Sequence, residues 1–305
     1  MSTHDHGVTD GRTHRGRLLL VLTITATVLV AEVVGAILAG SLALLADAGH
    51  MLTDVAGLAM ALLAAHLTRR PATRRRTWGF HRAEVLAAAA QAALLLAVGL
   101  FVMVEGIRRL MEPPEVGSAT MLVFGAIGLA GNVASVAVLL SIRGANLNLR
   151  AAFLEVVNDA LGSVAVIVAA VVIWTTGWTR ADAIVSMLIA LLILPRTVVL
   201  LREAGSVLLE TAPKDLDLED VRDHILAIPH VEDVHDLHAS QIASDLPTLT
   251  AHVVVLDSCF HDGHLPTLLD ELQTCVAEHF PISVEHSTFQ FEPVTHVGHE
   301  TGVHL

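Results

Sequence analysis

The chain has 305 residues, 53% of them hydrophobic and only 16% charged, with a mean hydropathy of +0.64. A soluble domain carries roughly 25% charged residues, so a wholly soluble protein is excluded and an integral membrane protein with a soluble portion is indicated. Charge divides sharply: from Ser206 onward 18 acidic residues stand against Lys214 and Arg222, a net of −16 in a chain of net −13. A soluble part that is acidic and holds 12 of the 18 histidines argues against nucleic-acid binding.

Residues 1–16 are polar and carry His4, His6 and His14. They read as a disordered tail, with no cleavable signal peptide. Apolar runs then recur at 17–39, 42–66, 84–110, 117–142, 150–175 and 181–201. Each is about long enough to cross a bilayer, so residues 17–205 are expected to form six transmembrane helices. Gly40-Ser41 forms a tight hairpin between the first two, and Pro113-Pro114 breaks the third from the fourth. Basic residues collect on one side: Arg12, Arg15, Arg17, Arg69, Arg70, Arg74, Arg75, Arg76, Arg82, Arg143, Arg150, Arg196 and Arg202. The other side has only Arg108, Arg109 and Arg180. By the positive-inside rule both termini are cytoplasmic. Short loops and the lack of organelle signals place the chain in a prokaryotic plasma (inner) membrane.

Residues 206–295 read as a cytoplasmic α/β domain. Helical spacing over 216–228 and 264–280, with strand patterns over 231–242, 249–256 and 282–291, gives the order α-β-β-α-β. A small sheet with helices on one face follows. Cys259 and Cys275 have no CxxC or zinc-finger spacing and are expected to be free thiols. Residues 296–305 read as a second disordered tail, with His296, His299 and His304.

Two patterns inside the apolar runs carry the chemistry: His50-Met51-Leu52-Thr53-Asp54 and Glu155-Val156-Val157-Asn158-Asp159. Each places two metal-capable side chains at i and i+4, on one helix face. Ionisable groups at membrane depth are costly and mark a pathway or site. Imidazole and carboxylates suit zinc and neighbouring divalent ions, and His50, Asp54, Glu155 and Asp159 together supply four ligands, enough for a tetrahedral ion. Without metal, such adjacent carboxylates hold at least one proton, so metal entry displaces protons. Structural polar pairing between helices is the competing account. Asp47 lies one turn before His50 and suits either a proton or gate role or a structural hydrogen bond; Glu32 and Glu105 are weighed more toward structure, and Asn132 and Asn158 toward helix-to-helix hydrogen bonds. In the soluble part, His235, His252, His264 and His286 occupy strand or helix positions from which they can converge, with His261, Cys259 and Glu292 as outside candidates.

The stretch Gly40-Ser41-Leu42-Ala43-Leu44-Leu45-Ala46-Asp47-Ala48-Gly49-His50-Met51-Leu52-Thr53-Asp54 resembles the second-helix signature of the cation diffusion facilitator family. Trp78-Gly79-Phe80-His81-Arg82-Ala83-Glu84-Val85-Leu86 is similar to the start of its third helix, and Asn158-Asp159-Ala160-Leu161-Gly162-Ser163 to its fifth. The resemblance covers nearly the whole chain. It implies a six-helix membrane domain with a cytoplasmic metallochaperone-like domain, usually a homodimer. It also implies export of zinc and related ions from the cytosol in exchange for protons, with no prosthetic group. His50 and Asp54 match the family's second-helix ligands and Asp159 the second ligand of its fifth helix. Glu155 departs from the His usual in zinc-selective members, which makes the site more oxygen-rich and puts its selectivity in question. His235, His252, His264 and His286 resemble the family's regulatory metal ligands. Thr288 departs from members with a bridging Asp there. Arg76 and Phe80 stand where some members bind a second ion in the loop between the second and third helices, so no ion is expected in that loop.

Other classes fit less well. An intramembrane zinc hydrolase usually shows HExxH, and an ATP-driven pump needs a phosphate-binding loop or large soluble domains; neither pattern is present. The chain is therefore not expected to be an enzyme. A metal sensor would keep the soluble histidines but tolerate loss of Asp54 or Asp159.

Overall fold

The computed structural model describes residues 8–68, 70–140, 147–243 and 245–296. The helices are α1 (Val8–Ala39), α2 (Leu42–Thr68), α3 (Arg82–Met111), α4 (Ser118–Leu140), α5 (Leu147–Thr176) and α6 (Arg180–Leu208). They coincide with the six apolar runs, and α1 begins at Val8, before the expected start. Stretches of α1, α3, α4, α5 and α6 are each long and apolar enough to cross a membrane. α2, at 27 residues, spans about 40 Å at 1.5 Å per residue. Two compact units emerge, one of residues up to Leu62 with Ala88–Leu201, the other of Leu63–Ala87 with the chain from Arg202.

Within the first unit α4 packs against α1 and α5. The core between helices is made of small and medium side chains: Ala36, Ala39, Ala43, Ala46, Ala169, Ala170 and Ala190 sit with Leu42, Leu44, Val102, Met121 and Val166. Alanines let backbones approach closely, which is how helices associate where lipid is as apolar as leucine. The α1–α2 hairpin is closed by Gly40 at φ +64°, a left-handed conformation that glycine adopts without penalty.

The start of α2 is held by α6. The buried carboxylate of Asp182 accepts from Ser41 Oγ at 2.6 Å and from the backbone N–H groups of Leu42 at 2.7 Å and Ala43 at 3.1 Å. These are donors that the first turn of a helix cannot satisfy internally. The negative charge also complements the positive end of the helix dipole. From α3, Arg109 donates to Gly40 O at 2.7 Å, lies 3.5 Å from Asp182, and pairs with Glu105 at 3.1 Å. Glu105 is thus engaged in ion pairs with Arg108 and Arg109.

The second unit contains α7 (Leu218–Leu226), β1 (Val231–Ala243), β2 (Leu246–Val255), a 3-10 turn over Asp257–Phe260, α8 (Leu265–Glu278) and β3 (His286–Pro293). This is the expected α-β-β-α-β order. Asp217 caps α7 by accepting from Glu219 N–H at 2.9 Å. The sheet order is β1-β2-β3, with β1–β2 antiparallel and β2–β3 parallel. The long connection through α8 is what a parallel pairing requires. Val221 and Ile225 of α7, and Leu268, Leu272 and Val276 of α8, share one core with Val234, Leu249, Val253 and Val255 of the sheet. Both cysteines are free and buried, and burial pushes the Cys275 thiol up.

Two outcomes follow. Asp182→Ala strands one hydroxyl and two backbone donors, a cost of about 2–4 kcal/mol; detergent-solubilised Asp182→Ala should melt several degrees below wild type, with Asp182→Asn in between. Because the thiolate of Cys275 is the disfavoured form, its maleimide labelling in the native protein should stay slow through pH 8 and become complete only on denaturation.

Candidate metal centres

In the membrane unit, α2 and α5 run antiparallel past one another and meet at two rungs. His50 Nε2 lies 3.5 Å from Asp159 Oδ1. One turn nearer the Gly40-Ser41 hairpin, Ser163 Oγ donates to Asp47 Oδ2 at 3.3 Å. The spacing is the helical one: Asp47 and His50 are three apart on α2, Asp159 and Ser163 four apart on α5. Asp47, Asp159 and Ser163 are buried and His50 half-buried. Asn132 of α4 extends the polar line by donating from Nδ2 to Ser163 Oγ at 3.3 Å.

Asp54 lies four residues beyond His50 on α2, and Glu155 four before Asp159 on α5. Their backbones are helical, and their side chains lie outside the described residues. The register that sets His50 against Asp159 carries the backbone of Asp54 toward that of Glu155, one turn farther from the hairpin. A cavity of about 530 Å³ opens beside the rungs. Its walls include Asp47, His50, Gln91, Asn158 and Arg196 as well as the apolar side chains of Leu188 and Leu192. Thr53, buried on α2, donates to the His50 carbonyl at 2.6 Å.

Glu32, weighed on sequence toward a structural role, is fully buried on α1. It interacts electrostatically with Asp47 and with Asp159. Its place in the polar cluster comes from packing α1 and α5 on α4, which no pattern in one helix encodes.

In the second unit, His235, His252 and Glu292 offer ligand atoms all within 4.8 Å of one another. The strand register explains the meeting. His235 is paired with His252 across β1–β2, and His252 with Gln290 across β2–β3. Glu292 is two residues beyond Gln290, so it returns to the same face. Its carboxylate lies 2.9 Å from His252 Nδ1 and 3.5 Å from His235 Nε2, and accepts from Gln290 Nε2 at 2.7 Å. His235 and Glu292 are buried. A bulge in β1, where Asp236 takes φ +49°, sets Asp236 3.8 Å from His252 and 3.1 Å from His238. Two imidazoles and a carboxylate form a zinc-type donor set.

The other two expected histidines stand elsewhere. His264 precedes α8 and its ring meets that of His230 at 4.6 Å between centroids. His286 opens β3 and its ring is met edge-on by Trp78 at 5.3 Å. Of the outside candidates, Glu292 joins the cluster, while Cys259 is buried in the core. Arg76 lies over the Phe80 ring at 4.4 Å, a cation–π contact.

Residues 18–209 match the family model for the cation efflux transmembrane domain, and residues 213–294 the model for the cation efflux protein cytoplasmic domain. The chain belongs to this cation efflux family and is a multi-pass membrane protein of a transporter class. Among similar proteins, the metal cation efflux system protein CzcD of Cupriavidus metallidurans is 43% identical over 290 residues, 95% of this chain and 89% of the relative. The zinc transporter ZitB of Escherichia coli is 42% identical over 278 residues, 90% of this chain and 87% of the relative. A cadmium, cobalt and zinc/H(+)-K(+) antiporter of Bacillus velezensis is 34% identical over 295 residues, 96% of this chain and 93% of the relative.

Removing one imidazole of the soluble cluster should weaken metal binding there at least tenfold. In equilibrium dialysis of the full chain against zinc, His252→Ala should lose one tight-binding equivalent per protomer while Asp159→Ala retains it.

Proposed function

We propose that the protein exports divalent cations, zinc foremost with cadmium and cobalt, from the cytosol by exchange for protons across a prokaryotic inner membrane. The observation that carries this reading is the pair of half-buried His50 and buried Asp159, 3.5 Å apart across α2 and α5 and beside a cavity in the membrane unit. The proposed transport site is tetrahedral, built from His50, Asp54, Glu155 and Asp159. The family membership supports it, as do relatives named for zinc, cadmium and cobalt.

The exchange follows from charge. Three carboxylates and an imidazole in an apolar bundle carry an excess of negative charge when empty, and protons or a divalent ion offset it in turn. Metal entry then expels protons, and reprotonation on the other side releases metal. Alternating exposure of this one site to the two sides completes the cycle. Glu155 makes the donor set richer in oxygen than one with a second imidazole, which widens the range of ions accepted.

The His235–His252–Glu292 cluster is the proposed cytoplasmic regulatory site. His264 and His286, on the same domain, remain candidate ligands contributed across a homodimer. The chain from Ser206 carries a net of −16, so two copies in a dimer repel. Bound divalent ions offset that repulsion and let the domains close, biasing the membrane part toward export.

In proteoliposomes carrying an internal pH dye, zinc, cadmium and cobalt should each drive proton movement with wild type. Asp159→Ala should lower the flux at least a hundredfold in protein that remains monodisperse. Glu155→His should narrow the metal range toward zinc. Absence of flux from folded wild type with every metal would refute the transport reading and favour a sensor.

A further inference from the structure

We infer that Glu32 and Asp47, with the Ser163 hydroxyl, form a second cation station in the membrane unit, with oxygen ligands only, one helical turn from His50 and Asp159 toward the Gly40-Ser41 hairpin. The inference rests on the reading of His50 and Asp159 as the transport site. It gives the same ion a further resting place.

The first observation is Glu32 itself. Its side chain is fully buried on α1, and among the described residues its carboxyl group hydrogen-bonds the side chain of Asp47. That partner is another acid, itself buried and accepting from the Ser163 hydroxyl at 3.3 Å. Two buried carboxyl groups in contact are compensated by a cation held between them, a proton or a metal ion. A cation between the two satisfies both.

The second observation is shape. A Cβ on Gly128 of α4 would overlap Glu32 Oε1 and stand 3.1 Å from Ser163 Oγ, so the glutamate and serine oxygens converge on one point over that glycine. A Cβ on Gly162 of α5 would stand 2.5 Å from Asp47 Oδ1. Both helices thus present bare backbone where the two carboxylates turn inward. Asn132, donating to Ser163 at 3.3 Å, fixes the hydroxyl from the far side.

The third is register. Asp47–Ser163 repeats, one turn along α2 and α5, the pairing His50–Asp159. An ion leaving the imidazole-containing rung toward the hairpin meets the oxygen-only rung next. Oxygen ligands without imidazole hold zinc-type ions less tightly than a mixed site. A weaker second site beside a tighter one is what lets a bound ion move on.

Full-length protein in lipid nanodiscs, with His235→Ala and His252→Ala to silence the soluble cluster, is loaded with cadmium-113 alone. Bound metal is counted by mass spectrometry and its ligands are read by cadmium NMR. Asp159→Ala in this background should keep one cadmium per protomer, with a resonance of oxygen-only coordination. Adding Glu32→Gln should remove that ion, and Gly128→Ala, which fills the space, should remove it too. Glu32→Asp should keep it with weaker affinity. An oxygen-only resonance that persists in both Glu32→Gln and Gly128→Ala, or its absence from Asp159→Ala, would overturn the second station. Failure of the parent background to lose any cadmium on Asp159→Ala would instead overturn the transport site.

Discussion

Burying acids inside an apolar helix bundle is the constraint on which the membrane unit turns. Glu32, Asp47 and Asp159 are all buried among α1, α2, α4 and α5. Taking a carboxylate from water costs several kcal/mol even after relaxation, on the order of the stability of a whole domain when summed over several groups. Among the described residues, His50 meets these acids at Asp159. On the proposed reading, protons or a metal ion offset these buried acids in turn.

The placement of those groups depends on how α2 is held. Asp182 of α6 caps its first turn and Arg109 of α3 clamps the hairpin that precedes it. Alanines set the closeness of the backbones. From that anchored end, Asp47 and His50 fall at the depths where α5 offers Ser163 and Asp159. A cap more than a turn away from the chemistry thereby fixes which side chains can meet. The second unit reaches a comparable end by other means. There, strand register brings His235 opposite His252, and the parallel return of β3 delivers Glu292 to the same face.

Much of this was legible in the chain itself. Long apolar runs report helices because every backbone polar group must be satisfied inside a bilayer, and all six appear where hydropathy placed them. His50 and Asp159 stood out as ionisable residues in those runs. Glu32 was harder to read, because its role comes from facing Asp47 across a four-helix packing that exists only after folding. Glu292 was ranked behind His264 and His286 for a similar reason. Its position depends on a parallel strand pairing through α8, and a histidine count favours histidines. The Asp182 cap had no local signature at all: acceptor and donors are about 140 residues apart in sequence.

The central claim is that the ion sits between α2 and α5 at His50 and Asp159. The most direct measurement is anomalous diffraction at the zinc edge from crystals of the full-length protein grown with zinc. The account predicts a strong anomalous peak within ligand distance, about 2 Å, of His50 Nε2 and an Asp159 oxygen. A structure with zinc bound in the soluble domain and no peak between these two side chains, at saturating metal, would contradict it.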